Sequence, residues 1–191
     1  KEEDLGHRII KEGNRIADIV KSLLSFARPG ERKEQKVAVH VSEIMSDTLV
    51  LMNSQLKKDN IKLALHIPGE LPKIRAHHQQ IQQVFLNLIS NARYALNAKY
   101  QGRHEKKVLE ILGEAVTMDN CPWVKVTFHD TGIGIPSDIL DKVINPFFST
   151  KPRGKGTGLG LSISHSIVND HGGKLLIDSV EGEFTDIMVV L

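Results

Sequence analysis

A glycine-rich segment that runs directly into an amphipathic helix is the feature that most limits the fold of this sequence. Every second residue from Gly154 to Gly160 is glycine, and an apolar pattern of helical period extends over residues 159–171. Amides at a helix N-terminus bind phosphate, because their N–H groups are free and the helix dipole favours negative charge. A flexible linker would not continue into such a helix. The segment therefore predicts a phosphate-binding loop, although its spacing matches neither the P-loop nor the dinucleotide fingerprint.

Strand and helix patterns are mixed along the chain from about residue 36. Mixed strands and helices bury one face of a sheet under helices, so the sequence predicts a two-layer α/β sandwich with a mixed sheet. The predicted strands cover residues 37–41, 61–67, 108–116, 123–129, 175–180 and 187–191. The predicted helices cover residues 42–58, capped by Ser42, then 79–100, a short one at 137–143, and 159–171, with a hairpin loop expected at 117–122.

Residues 5–26 carry a separate helical pattern. Apolar residues recur there at steps of three and four, with a second apolar set that widens the stripe. So wide a stripe favours a helix that touches two neighbours in a bundle, the alternative being a helix packed on its own domain. Pro29 and Gly30 end the helix, and a charged linker follows. The predicted domains are residues 1–30 and 36–191.

Composition limits the partners and the location. The net charge of +2 gives no argument for nucleic acid, and the single Cys121 suits a reducing compartment. No apolar run approaches the roughly 20 residues of a transmembrane helix. Because the chain lacks an initial Met and ends in a strand-like run, we expect a fragment of a longer protein. The expected location is cytoplasmic, and membrane attachment of the parent protein stays open.

Two further segments carry residues suited to nucleotide binding. Asn87 and Asn91 share one helical face, and an asparagine carbonyl can ligate Mg²⁺ without adding charge; two solvent-facing asparagines are the alternative. Asp130 follows a strand, where its carboxylate can accept a hydrogen bond from an exocyclic amine. Gly132 and Gly134 would let a planar ring approach the backbone, although a tight turn explains them equally well.

A third segment, residues 145–151, contains two aromatics and a lysine. Exposed aromatic side chains are costly, so Phe147 and Phe148 are expected to pack beneath the loop as an anchor. Lys151 is a candidate phosphate contact, with a plain surface lysine as the alternative.

In this order, the four segments resemble the N, G1, F and G2 boxes of the histidine-kinase catalytic domain, which belongs to an ATP-binding group with gyrase, MutL and a heat-shock chaperone. The resemblance covers about residues 36–191, and the first helix is similar to the second dimerisation helix of these kinases. Residues 146–152 are similar to the nitrogen-regulation branch. The resemblance implies a protein-histidine kinase of two-component signalling with ATP and Mg²⁺ as cofactors, a response-regulator receiver domain as partner, and a homodimeric parent.

The resemblance also implies roles for individual residues. Asp130 would take the adenine amine, Asn91 would hold Mg²⁺ as the metal ligand, and a lid would run from about Gly134 to Gly156. The complete set of candidate nucleotide-binding residues is Asn87, Asn91, Asp130, Gly132, Gly134, Lys151, Gly156, Thr157, Gly158, Leu159, Gly160 and Thr185.

Three positions depart from the family pattern. Phe184 stands in a glycine place just ahead of Thr185, His77 stands where an aspartate is common, and Tyr94 stands where some branches place a phosphate-reaching lysine. The first departure weakens the assignment of Thr185, and the last removes one expected phosphate contact.

The same resemblance separates a kinase from a hydrolase. The hydrolysing relatives place a glutamate base at the position of Asn87, and asparagine cannot accept a proton from water. The acceptor histidine of the family lies on the first dimerisation helix, and His7 has no acidic residue following it. We therefore assign no catalytic residue and expect the chain to bind ATP without phosphorylating itself. The alternatives are a protein-serine kinase of the anti-sigma type and a nucleotide-sensing module.

Overall fold

The computed structural model describes residues 35–118, 120–152 and 156–191, together with Gly6 and Gly13. The predicted dimerisation helix, His7 and most of the charged linker lie outside the described residues. So do Gly154 and Lys155 of the glycine-rich segment.

From residue 35 onward, the described chain forms seven strands, three α-helices and one 3₁₀ helix. In chain order they are β1 (Val37–Val39), α1 (Val41–Lys58), β2 (Lys62–His66), β3 (Ile74–Ala76), α2 (His78–Lys99), β4 (Val108–Met118), β5 (Cys121–Asp130), the 3₁₀ helix (Ser137–Lys142), α3 (Gly160–Asp170), β6 (Lys174–Val180) and β7 (Phe184–Val190).

Five of these strands form one mixed sheet in the order β2-β4-β5-β7-β6, in which only β2 and β4 are parallel. Strand β5 alternates between half-buried and buried residues along its second half, as expected for a sheet with one face against a core. Helices α2 and α3 pack on that face. The predicted two-layer α/β sandwich is therefore confirmed.

Helix α2 supplies much of the core. Its buried stripe has helical spacing, as an amphipathic helix packed on a sheet requires: Ile81, Val84, Phe85, Leu88, Ile89, Ala92 and Leu96. The Phe85 ring meets Phe128 of β5 at a centroid distance of 5.4 Å. Each fully buried side chain of this size contributes about 1.5–3 kcal/mol, so the position of α2 on the sheet is strongly fixed.

Three local predictions were wrong. Helix α1 begins at Val41 rather than Ser42, with His40 as the N-cap and no side-chain capping bond, because Val41 is buried in the core. Strand β3 was missed, since three residues are too few to show a periodic pattern; it pairs with β1 in a separate sheet. The β4–β5 pairing continues to Met118 and Cys121, so the hairpin loop is shorter than expected.

Among the described residues, no helix combines the length and the apolar character needed to cross a bilayer.

Candidate nucleotide-binding site

The first half of the site lies where β5 and β7 run side by side. Asp130 is the last residue of β5, and Thr185 is its neighbour in the antiparallel register of β7. Both side chains are buried, with Asp130 only 4% exposed. The pairing places Thr185 beside the carboxylate in spite of Phe184, so the departure at Phe184 does not displace Thr185 from the site. The aromatic ring of Phe184 stacks on His129 instead.

Burial changes the acidity of Asp130. Loss of hydration raises the pKa of its carboxyl from 3.8 to about 7, although the Gly132 N–H donates a hydrogen bond to Oδ1 over 2.9 Å and favours the ionised form. A carboxylate this poorly hydrated gains more from a donor in the pocket than an exposed one would. Asp130 is therefore an acceptor suited to the amine of a bound base.

Gly132 and Gly134 are required by the contacts of their backbone. A Cβ on Gly132 would lie 2.6 Å from the Cβ of Ala95, in α2, and would also overlap the Asp130 carboxylate. Gly134 has a φ of +66°, and a Cβ there would overlap the Val180 carbonyl. The two glycines let this turn pass closely between α2 and the β6–β7 turn, so protein packing alone already requires glycine at both positions.

The β6–β7 turn fixes the same segment from the other side. The Gly182 N–H donates to the Ile133 carbonyl over 2.7 Å, and the Ile135 N–H donates to Ser179 Oγ over 2.8 Å. The predicted lid therefore does not begin at Gly134, because the backbone up to Ile135 is bonded to neighbouring strands. Its free part begins with the 3₁₀ helix.

Ser179 was missed by the sequence reasoning. Its hydroxyl donates to the Phe184 carbonyl over 2.6 Å and lies 3.1 Å from Thr185 Oγ1. Since the single Ser179 proton is used on that carbonyl, the Thr185 hydroxyl donates to Ser179 and keeps its lone pairs for a donor in the pocket. A lone serine in a strand gives no signal of this role, which depends on the pairing of β6 with β7.

The second half of the site is the start of α3. The Gly158 carbonyl accepts a hydrogen bond from the Phe147 N–H over 2.9 Å, Gly158 has a φ of +69°, and a Cβ there would lie 2.6 Å from the Phe147 carbonyl oxygen. Thr157 Oγ1 accepts from the Leu159 N–H over 3.3 Å, and Leu159 is buried. The described part of the glycine-rich segment is thus folded against residues 147–149 as α3 begins at Gly160.

Asn87 connects this segment to α2. Its amide donates to the Gly160 carbonyl over 3.1 Å and to Ser164 Oγ over 3.3 Å. The alternative of a solvent-facing asparagine is excluded at this position. A Cβ on Gly160 would lie 3.7 Å from Asn87 Cγ, which is ordinary contact, so protein packing does not require glycine there.

Asn91 meets a lysine from the opposite wall. Its Oδ1 accepts a hydrogen bond from Lys151 Nζ over 2.9 Å, and the same ammonium lies 4.6 Å from the ring centroid of Tyr94. Burial lowers the pKa of the Lys151 ammonium. The Asn91 carbonyl therefore already has a cation, the Lys151 ammonium, as its partner.

One face of α2 links all these contacts. Asn87, Asn91, Ala95 and Lys99 follow one another at intervals of four residues, about 6 Å apart along the helix. Asn87 meets the start of α3, Asn91 meets Lys151, and Ala95 meets Gly132. Lys99 Nζ donates to the carbonyls of Thr131 and Glu183. The structure thus brings the predicted asparagine pair and the predicted base pocket together along a single helix.

The aromatic pair gives a mixed result. Phe147 is 65% exposed and has a φ of +67°, so the prediction that it packs beneath the loop was wrong. Its backbone N–H is bonded to the Gly158 carbonyl, and the ring stays exposed. Phe148 is half-buried and remains compatible with the predicted anchor. The remaining candidate, Gly156, is half-buried, and a Cβ there would meet Ser149 Oγ at 2.7 Å and Lys151 Cδ at 3.1 Å.

The side chains present fit a magnesium nucleotide. Within the described residues, no group of three acidic, histidine or cysteine side chains could bind a metal by itself. A single asparagine oxygen suits Mg²⁺ bound mainly by phosphates and water, which is how Mg²⁺ is commonly held with nucleotides. The buried Asp130 carboxylate suits a base amine at the other end.

Curated relatives and solved structures show what this chain is similar to. Sporulation kinase E of Bacillus subtilis is 33% identical over 96% of this chain, and sensor histidine kinase ZraS of Escherichia coli is 32% identical over 94% of it. The chain spans 23% and 35% of the lengths of these two relatives. Among solved structures, the nucleotide-free catalytic domain of histidine kinase ThkA is 28% identical, with a TM-score of 0.67 over 82% of this chain and 94% of that one.

The family model described as histidine kinase-, DNA gyrase B-, and HSP90-like ATPase matches residues 76–191, which contain every candidate nucleotide-binding residue. The chain belongs to this ATP-binding family.

Proposed function

We propose that this chain is the ATP-binding catalytic part of a sensor histidine kinase. It would bind ATP with Mg²⁺ and present the γ-phosphate to a histidine on a dimerisation helix. The similarity to relatives named as a sporulation kinase and a sensor histidine kinase supports the proposal. So does the presence of a buried carboxylate and a glycine-rich helix start along the same face of α2.

The hydrogen bonding of the Asn87 side chain is the observation that favours a kinase over a hydrolase. Hydrolysing relatives are expected to have a glutamate base at this place. Here the side chain is an amide, which cannot take a proton from water, and it donates to Gly160 and Ser164 of α3. Asn87 therefore stabilises the phosphate loop rather than activating water, and the pocket favours transfer to a protein side chain.

The proposed roles follow the two halves of the pocket. Asp130 accepts the adenine amine, with Thr185 beside it and Gly132 and Gly134 along the ring. The amides near Gly158 and Gly160 bind phosphate oxygens, with Gly156, Thr157 and Leu159 in the same loop.

Two side chains carry the proposed cation chemistry. Asn91 supplies the protein ligand to Mg²⁺, which when bound would neutralise charge on the phosphates. Lys151 contributes its ammonium from the facing wall. No side chain of this chain is proposed as the phosphate acceptor.

The proposed partners are those of two-component signalling. A response-regulator receiver domain would take the phosphate from the acceptor histidine, and the parent protein would be a homodimer. The proposed location of this part is cytoplasmic.

The test is transfer to an acceptor in trans. This chain is mixed with radiolabelled ATP, Mg²⁺ and a parent protein that keeps its acceptor helix but carries an inactivated ATP pocket. We expect acid-labile, base-stable label on the acceptor and little release of inorganic phosphate. This chain incubated alone is the control and should stay unlabelled.

The alternatives give different products. A protein-serine kinase of the anti-sigma type would leave acid-stable label on its partner. A hydrolase would release phosphate without labelling protein, and a nucleotide-sensing module would bind ATP without either product. Any of these three results would overturn the proposed transfer to histidine.

A further inference from the structure

The side chain of Lys151 is enclosed on three sides. Its Nζ donates to Asn91 Oδ1 over 2.9 Å and lies 4.6 Å from the centre of the Tyr94 ring. The backbone of Gly156 passes along its stem, since a Cβ there would lie 3.1 Å from Lys151 Cδ. The ammonium of a loop lysine, which would ordinarily sample many rotamers in water, is thus held at one place in the pocket.

Of the two groups that meet the ammonium itself, Asn91 and Tyr94, only Tyr94 remains available to it once Mg²⁺ is bound. The oxygen of Asn91 is the proposed ligand of Mg²⁺, and one carbonyl oxygen directed at a divalent cation does not also bind an ammonium, because the two positive charges repel. The face of an aromatic ring attracts a cation through its quadrupole and needs no lone pair, so it can hold Lys151 in both states.

The position of Tyr94 makes this contact informative. Tyr94 lies three residues after Asn91 on α2, at the place where a phosphate-reaching lysine was expected and is lacking. The structure places an ammonium above that position all the same, but it comes from a segment 57 residues later in the chain. The half-buried setting of Lys151 also weakens competition from water and strengthens attraction to the ring.

We propose that Tyr94 is a positioning residue, whose ring holds the Lys151 ammonium so that the lysine acts on the terminal phosphate of ATP in place of a lysine from α2. This inference rests on the proposed function, because it concerns the phosphate end of the same pocket. It assigns to Tyr94 no direct contact with the nucleotide. Its effect should therefore require Lys151 and should concern ATP more than ADP.

The experiment is a double-mutant cycle read by calorimetric binding of a non-hydrolysable ATP analogue and of ADP. Tyr94→Leu removes the ring, Tyr94→Phe keeps it, and Lys151→Met removes the charge but keeps an unbranched stem. We expect Tyr94→Leu to weaken binding of the ATP analogue by about three- to thirty-fold with little change for ADP. Tyr94→Phe, which keeps the ring, should bind the analogue nearly as tightly as the wild type. In the Lys151→Met background, Tyr94→Leu should change affinity by less than about two-fold.

A second measurement needs no nucleotide. In the empty protein, Lys151→Met should shift the ring resonances of Tyr94 in carbon–proton NMR spectra, whereas Lys99→Met should leave them in place. Unchanged Tyr94 resonances in Lys151→Met, equal losses for ATP and ADP, or additive effects in the cycle would each overturn the inference. If the wild-type chain bound no ATP at all, the proposed function would fail, and the NMR result would still decide whether Tyr94 holds Lys151.

Discussion

The base side and the phosphate side of this pocket are built in different ways. On the base side, Asp130 and Thr185 lie at paired positions of neighbouring strands, and the turn through Gly134 is bonded to the β6–β7 turn. On the phosphate side, Lys151 and Phe147 belong to a connecting segment without long helices or strands, and Phe147 is exposed. The base side is therefore fixed by the fold, whereas the phosphate side depends on a few contacts that a ligand can replace.

This difference assigns binding of the base to the rigid side of the proposed pocket and contact with the phosphates to the weakly held side. A base pocket made of strand ends needs no rearrangement to bind, so its contribution to affinity should be nearly constant. Groups on a weakly held segment become ordered when ligand binds and can complete the site only then. Helix α2 belongs to both sides, since Asn91 meets Lys151 and Ala95 meets Gly132.

The largest effect on stability should come from adding a side chain at Gly134, on the base side of the pocket. Gly134→Ala places a Cβ on the Val180 carbonyl in a backbone with φ +66°, so strain and overlap add. We expect the free energy of unfolding to fall by about 3 kcal/mol or more. Chemical denaturation measures it directly.

Gly182→Ala is the matched control for this substitution. Gly182 lies in the turn that contacts Gly134 and has a φ of +78°, but a Cβ there would meet nothing within 4 Å. Only the strain of an alanine at positive φ remains, so we expect the free energy of unfolding to fall by about 1 kcal/mol. Similar losses for the two variants would mean that the close contact at Gly134 is not rigid.

The next effect concerns the buried acceptor. Asp130→Asn keeps the shape of the side chain but replaces an oxygen acceptor by an amide donor, and a hydrogen bond to a charged group contributes about 1.5–3 kcal/mol. ATP affinity should fall about ten- to a hundred-fold by calorimetry. Asp47→Asn, at an exposed carboxylate of α1 that pairs with His78, should leave affinity nearly unchanged. Unaltered affinity in Asp130→Asn would rule out this residue as the base contact.

The parts of the candidate site that the sequence singled out are contiguous segments. The four segments are each a run of a few residues, and the buried stripe of α2 has a period that survives without tertiary information. Even the position of Asn91 one turn after Asn87 follows from helical geometry.

What the sequence did not predict depends on strand pairing and on contacts across the chain. Ser179 reaches Thr185 only because β6 and β7 pair, and Lys151 lies over Tyr94 although 57 residues separate them. Phe147 was placed inside because an exposed ring is costly, but its ring is 65% exposed while its N–H bonds to Gly158. Long-range contacts of this kind have no local signature in composition or period.

A third prediction concerns the metal on the phosphate side. In Asn91→Ala, the gain in ATP affinity on adding Mg²⁺ should fall about ten-fold, because the protein ligand to the metal is lost while the base contacts remain. Titrations with and without EDTA measure this ratio. Ser90→Ala, at the adjacent exposed position of α2, should keep the full effect of the metal. A full effect in Asn91→Ala as well would exclude Asn91 as the ligand.

A fourth prediction uses the pKa of about 7 at Asp130. The ionised carboxylate is the acceptor, so binding requires loss of its proton, and ATP affinity should fall about ten-fold as the pH drops from 8 to 6. The stability of the folded chain without nucleotide should change with pH in the opposite direction. The folded state binds this proton more tightly than the unfolded chain, so the contribution of Asp130 to the free energy of unfolding falls as the pH rises from about 4 to about 7.

Asp130→Asn tests both signs of this linkage. The variant should lose the part of the affinity profile that titrates near pH 7, after correction for titration of ATP itself. Without nucleotide, it should also unfold at a higher temperature than the wild type at pH 8, by about 2–4 °C for each kcal/mol gained. Parallel affinity profiles for the two proteins would contradict the role of this carboxyl group.

The smallest effect, a change in local exchange, compares the two sides within one experiment. The described backbone from the 3₁₀ helix through Lys151, and from Gly156 to Gly158, has few hydrogen bonds to the rest of the domain, so it should open by low-energy local fluctuations. A saturating ATP analogue with Mg²⁺ supplies phosphate contacts there, and amide hydrogen exchange in this segment should slow a few-fold.

The amides of β5 and β7 already form ladder hydrogen bonds with neighbouring strands, so their exchange should change less, apart from the general gain in stability on binding. AMP, which carries the base without the terminal phosphates, serves as the control and should leave the segment nearly as it is in the empty protein. Slowing of β5 and β7 as strong as that of residues 137–152, or equal exchange with and without the ATP analogue, would show that the two sides do not differ in the way their contacts indicate.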